Sequence, residues 1–172
     1  EAAWAHATGR PIAKLAPTMH TFGDILVWLE SEIRRLGVEV RTSTYVEAAD
    51  VLAESPDVVI VATGSVPQLD GVQIATPGRP ATGIDQSHVI SAADLLTDRR
   101  RVLSGAALVF DDVGSYEAVA AADHLIAKGV AVTFATRCPS FAPIVESWTR
   151  ADPALERLYR GNFGLLTRLL LL

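Results

Sequence analysis

The sequence predicts an α/β protein of the Rossmann-like kind, a mostly parallel sheet with helices on both faces. Two observations predict it. The first is the stretch Ala107-Leu-Val-Phe-Asp-Asp-Val-Gly-Ser-Tyr-Glu-Ala118: an apolar run, two carboxylates, a turn around Gly114, then an Ala-rich helical pattern to Lys128-Gly129. A second apolar run, Val130-Ala-Val-Thr-Phe-Ala-Thr136, follows, which gives the order strand, turn, helix, strand of a βαβ unit. The other is the continuous apolar run Asp57-Val-Val-Ile-Val-Ala-Thr63. Such a run is expected to be a strand buried on both faces, in the middle of a parallel sheet.

The remaining elements follow in order. Residues 1–20 carry Gly9, Pro11 and Pro17 without clear periodicity and read as loop or a single helical turn. Thr21 is expected to cap a helix with Asp24 in the box position. Phe22, Ile25, Leu26, Leu29, Ile33 and Leu36 form one apolar stripe, with Trp28 on or beside it and assigned to the core. Gly37 ends the helix where a left-handed residue is wanted. Val38 to Ser43 alternates and reads as a half-exposed strand. Tyr45 to Glu54 reads as a short helix stopped by Ser55-Pro56, and residues 65–86, rich in Pro, Gly, Asp and Gln, as a surface loop or crossing ribbon. Val89 and Ile90 are expected to form a short strand, and Ser91 to cap a helix through Leu96 with Asp94 in the box position. Arg99 to Gly105 is a linker. After Cys138-Pro139-Ser140, Asp152-Pro153 is expected to open a helix to about Arg160, with Pro at its first position.

Bulk properties exclude several function classes. The chain has 172 residues, 49% hydrophobic and 20% charged, with a net charge of −5. A nucleic-acid groove is not expected, since Arg99-Arg100-Arg101 is the largest basic cluster and reads as a helix-end cap. One cysteine, Cys138, cannot build a disulfide framework, a structural zinc site or an iron–sulfur cluster within this chain. The apolar stretch Leu165–Leu172 is too short to cross a bilayer, so no membrane is expected and the cytoplasm is the expected compartment. The histidines at 6, 20, 88 and 124 have no partners at ligand or triad spacing, and no catalytic residue can be named. The start at Glu1 and the four terminal leucines read as cut ends, so a longer polypeptide is expected.

Chemistry is expected at two strand ends. Ligands of open α/β sheets sit beyond the carboxyl ends of strands, and Ala62-Thr63-Gly64 would let a cofactor approach the backbone there. The turn Asp111-Asp112-Val113-Gly114-Ser115 is the other place. The dinucleotide fingerprint G-x-G-x-x-G would put glycine at 111, 113 and 116; this chain has Asp, Val and Tyr. Two carboxylates beside a pyrophosphate repel it, so a weakened or lost NAD(P)H site is expected. Arg137 stands where a base could meet a 2′-phosphate, and equally where a solvated arginine could sit.

The order of these motifs carries a resemblance. The helix Phe22–Leu36, Leu36-Gly-Val-Glu-Val40, Asp57–Gly64, His88-Val-Ile-Ser-Ala-Ala-Asp-Leu-Leu96 and Val109–Ala118 together resemble the C-terminal half of the long NADH:flavin oxidoreductases of the old yellow enzyme family. That group includes 2,4-dienoyl-CoA reductase and the trimethylamine, dimethylamine and histamine dehydrogenases. The resemblance runs from about residue 15 to 168 and implies part of a flavoprotein with two dinucleotide-binding domains. Residues 1–86 would be a partial FAD- or ADP-binding domain without its first βαβ unit, and 87–172 a truncated NAD(P)-binding-like domain. It implies that Ala62, Thr63 and Gly64 line the FAD or ADP site. It also implies that FMN and a [4Fe–4S] cluster belong to an upstream barrel domain, with an electron-transfer flavoprotein as a partner. The chain alone would then be catalytically silent. The alternative is a non-catalytic module that docks a partner and keeps a vestigial nucleotide site.

Overall fold

In a computed structural model, the structure describes residues 15–64, 66–98 and 100–172; expectations for residues 1–14, Ser65 and Arg99 lie outside them. Three strands, β1 (Ala106–Asp111), β2 (Ala131–Thr136) and β3 (Phe163–Leu166), form a parallel sheet with β2 in the middle. The first crossover is helix α4 (Tyr116–Ala127). The register pairs Ala106 with Ala131 and, at the carboxyl ends, Asp111 with Thr136. The second crossover carries α5 (Pro143–Glu146) and α6 (Ala151–Leu158), and sets Val132 against Phe163. The Rossmann-like α/β class is therefore observed.

The core lies between this sheet and its helices. Val119, Ala120 and Ala122 of α4 and Ala154 and Leu158 of α6 are fully enclosed, the alanines letting the two helices approach closely. Phe134, in the middle of β2, is also fully enclosed. Its ring lies 5.0 Å from Phe141 and 6.3 Å from Phe163 in tilted contacts, geometry that adds to the area term. Helix α3 (Ala92–Thr97) packs its Ala93, Leu95 and Leu96 into the same core. Its start is as expected: Asp94 N–H donates to Ser91 Oγ at 3.0 Å, and Ser91 Oγ donates back to the Asp94 carboxylate at 2.7 Å.

The earlier part of the chain departs from expectation. Helix α1 (Phe22–Arg35) forms, and Gly37 closes it with φ +70°, Val38 N–H reaching back to the Ile33 carbonyl. Thr21, however, makes no side-chain cap, and the stripe Ile25, Leu26, Leu29, Ile33 is exposed, as is Trp28 at 61%. Asp57 to Thr63 is no strand: it pairs with no neighbour among the described residues, and Ile60 and Val61 are 85% and 80% exposed. Val38 to Ser43 and Val89-Ile90 likewise join no sheet. The physical reason is common to all of them. A strand exists by pairing, and among the described residues no neighbour is placed beside these runs.

Smaller corrections follow. The short helix is α2 (Ala48–Ala53), started by Glu47 N–H donating to the Asp50 carboxylate at 2.8 Å. Pro153 is the third residue of α6, not the first. Arg101 does not cap a helix; it faces Asp98 at 3.5 Å beyond the end of α3. The short elements α5 and β3 were not expected. Cys138 is a free, buried thiol. No helix among the described residues is long and apolar enough to cross a membrane.

Candidate functional site

The carboxyl edge of the sheet gathers five of the eight expected site residues: Asp111, Asp112, Gly114, Ser115 and Arg137. Their arrangement is closed upon itself. Asp111 ends β1, only 3% exposed. Its Oδ1 accepts the Gly114 N–H at 2.7 Å and the Val113 N–H at 3.1 Å, while Oδ2 accepts the Thr136 hydroxyl at 3.3 Å. Burial pushes this carboxyl above the ordinary aspartate range, although the N–H groups and the hydroxyl pull it part of the way back.

Asp112 is committed in another direction. Arg137 Nε donates to its backbone carbonyl at 2.5 Å and lies 2.8 Å from its Oδ1. The Ile74 N–H donates to Oδ2 at 2.6 Å, which brings the 66–86 loop over the edge. Gln73 reinforces that crossing. Its side chain donates to the Leu171 carbonyl at 2.8 Å and accepts the Leu171 N–H at 3.0 Å. The Thr82 N–H adds a third link, to the Leu172 carbonyl. The returning tail lies on the same edge, with Leu169 N–H bonded to the Thr136 carbonyl and Arg168 N–H to that of Cys138.

Gly114 holds φ +84°, and a Cβ placed there would meet Pro143 Cδ and Cγ at 2.8 Å. Its carbonyl accepts the Ile144 N–H at 3.0 Å, so the turn is fastened to α5. Ser115 is the N-cap of α4, its hydroxyl accepting the Glu117 N–H at 3.4 Å. Glu117 is raised by burial first and then by the charge of Asp111.

This turn does not fit a dinucleotide pyrophosphate. In a phosphate-binding turn the backbone N–H groups point at the ligand. Here the N–H groups of Val113 and Gly114 already point at a carboxylate from their own chain, and the Tyr116 side chain is buried in the core rather than absent. Arg137 is spent on Asp112. Ala62, Thr63 and Gly64 lie elsewhere, all exposed, with Gly64 at φ +78° and no hydrogen bond to the turn among the described residues. They offer at most one wall of a cofactor site.

Sequence reasoning missed the parts played by Gln73 and Ile74, because contacts 98 and 38 residues apart leave no local signal. It could have found the Asp111 clasp: an aspartate two and three residues before Val113 and Gly114 is the spacing of an Asx turn. Among the described residues no group of three or more metal-ligating side chains occurs.

No protein-family model matches the chain. It is 34% identical over 130 residues to a probable N-methylproline demethylase of Rhizobium meliloti (strain 1021), covering 76% of this chain and 18% of that protein. It is 36% identical over 111 residues to a multifunctional alkene reductase/demethylase OYE of Caballeronia cordobensis, covering 64% of this chain and 15% of that protein. The chain thus spans less than a fifth of these relatives' length. Among solved structures, 6-hydroxypseudooxynicotine amine oxidase (HisD) of Pseudomonas geniculata N1 superposes with a TM-score of 0.80 over 91% of this chain and 23% of that chain. At 23% sequence identity, that likeness shows a shared fold.

Proposed function

The chain belongs to the old yellow enzyme family of flavin-dependent oxidoreductases, and from that premise we propose that it is the nucleotide-binding-like part of a longer amine-oxidising member that does not use NAD(P)H at this turn. The observation that carries the reading is the Asp111 carboxylate on the N–H groups of Val113 and Gly114, where a pyrophosphate would have to lie. The relative named as a probable N-methylproline demethylase supports the amine side, while the alkene reductase/demethylase carries both activities in its name.

In this reading residues 1–86 belong to the domain that holds FAD or ADP, and 87–172 form the NAD(P)-binding-like domain. Ala62, Thr63 and Gly64 would line the FAD or ADP site together with groups from the rest of the polypeptide. FMN and the [4Fe–4S] cluster would sit in an upstream barrel domain, and an electron-transfer flavoprotein would take the electrons in the cytoplasm. The described residues supply no acid, base or nucleophile in a catalytic arrangement, so the isolated chain would not turn over.

Titration calorimetry with NADH, NADPH and ADP in parallel tests this. Heat for ADP alone is the expected result. Saturable binding of either nicotinamide nucleotide would overturn the reading of the turn. Silence for all three would favour the rival, a partner-docking module whose nucleotide site is vestigial, which the self-occupied turn also accommodates.

A further inference from the structure

A second feature lies away from the Asp111 clasp. A cavity of about 200 Å³ opens between the segment before α1 and the starts of α4 and α6, lined by Thr18, Tyr116, Arg150, Pro153 and Arg157. The volume is below the roughly 300–1,000 Å³ of sites for drug-sized ligands, and suits a single small group.

The donors around it are unequally spent. Arg157 is fixed: its Nη2 donates to Asp123 at 2.8 Å and its Nη1 to the Pro153 carbonyl at 3.0 Å. Its Nε is buried with no acceptor among the described residues. Arg150 has no such anchor. Among the described residues its guanidinium makes one hydrogen bond, Nη1 to the Met19 sulfur at 3.2 Å, and a thioether is a weak acceptor. Tyr116 and Thr18 bond hydroxyl to hydroxyl. Such a pair uses one of its two protons, and the other is free to donate outward.

The helix behind the cavity adds to this. Arg150 is the N-cap of α6 and has no side-chain oxygen with which to cap it, so the first N–H groups of α6 have no side-chain acceptor. Asp152, in that first turn, answers part of the helix dipole but does not line the cavity. The charges that do line or back it are Arg150, Arg157 and, paired with the latter, Asp123. One positive charge is left over.

We propose that this cavity binds a single small oxyanion of the phosphate or carboxylate class. Arg150 supplies the charge, the Tyr116–Thr18 pair supplies a hydroxyl donor, and Arg157, held by Asp123, forms a rigid wall. The proposal does not depend on the family or on the state of the Asp111 turn.

The test is an amide NMR titration of the 172-residue chain at constant ionic strength, balanced with chloride, in three arms: inorganic phosphate, acetate and ADP. Saturable shifts at Tyr116, Ala151 and Asp152 with phosphate or acetate are expected. Arg150→Gln, at an exposed position, should weaken them by roughly tenfold or more, as loss of a charged hydrogen bond does. Tyr116→Phe should weaken them less. Which of phosphate and acetate saturates first identifies the class. Response to ADP alone would mean that the nucleoside is recognised and would overturn a site for one oxyanion. No saturable shift in any arm, or shifts unchanged in Arg150→Gln, would overturn it as well.

Discussion

Asp111 Oδ1 lies 2.7 Å from the Gly114 nitrogen, so the last residue of a strand closes the turn that follows it. A negative group of the protein sits where the fold elsewhere receives a negative ligand. Losing it should be felt as lost stability. Asp111→Ala leaves the buried Gly114 N–H and the part-buried Val113 N–H without their acceptor and should cost about 1–3 kcal/mol. Asp111→Asn, which keeps an oxygen at the site, should cost less. Urea denaturation of both variants checks the order, and equal losses would mean that the clasp contributes nothing.

The same residue predicts a pH dependence. Burial, the largest cause, raises the Asp111 carboxyl above its ordinary value of 3.8. A carboxyl raised in the folded state contributes stability that is full below its unfolded pKa and is lost as pH climbs through its folded one. Glu117 is raised as well, partly by the charge of Asp111, and carries the same sign. Asp111→Asn removes one titration and relieves the other. The variant should therefore gain on the parent as pH rises from 3.8 toward neutrality. Denaturation midpoints in a series of buffers would show it, and parallel curves would contradict it.

Gly114→Ala should be costly for two reasons that act together. The backbone is left-handed at φ +84°, and the added carbon would lie 2.8 Å from the Pro143 ring. Strain and overpacking of this kind cost about 1–3 kcal/mol. The thermal midpoint should fall, and crosspeaks of α5 should move with those of the turn.

Arg137 separates a structural role from a nucleotide-binding one. Arg137→Gln should cost about 1–2 kcal/mol, because it leaves the half-buried Asp112 carboxylate short of its cation. NADPH affinity should not change, because the guanidinium is engaged within the chain. A change in NADPH binding would restore Arg137 to the 2′-phosphate.

Stability should be concentrated in the later part of the chain. Phe134→Ala should cost about 3–5 kcal/mol, since the ring is fully enclosed in an aromatic cluster. Leu29→Glu should fall within about 0.5 kcal/mol of the parent, since its stripe meets solvent. Hydrogen exchange should divide the chain likewise, with β1, α4 and β2 protected and residues 57–63 exchanging freely.

How much of this was legible depended on the range of the contacts. The unit β1–α4–β2 was readable because each signal is local: apolar runs, a Gly turn, an Ala-rich helix closed at Lys128-Gly129. Ser91 and Asp94 were readable for the same reason. Val58 to Val61 has equally strong residue chemistry and still forms no strand, because strand propensity describes fitness for a sheet and cannot supply its neighbours. The four-residue β3, with Gly164 inside it, was hidden in a run that reads as an apolar tail. At the turn, the missing glycines were visible, and the expectation of a weakened or lost NAD(P)H site rested on them. That Asp111 takes the N–H groups of Val113 and Gly114 is local and could have been read; that Gln73 and Ile74 close over the edge depends on segments far apart in the sequence.

The Gln73 clasp also has a timetable. Its two halves are 98 residues apart, so Gln73 leaves the ribosome long before Leu171 is made. At about 5–20 residues per second the interval is roughly 5–20 s. The unit from β1 to β2 is complete only once Thr136 has been made, and over the remaining 35 residues of the interval it can assemble while the loop above its carboxyl edge hangs open. During synthesis, then, the edge is accessible first and covered last.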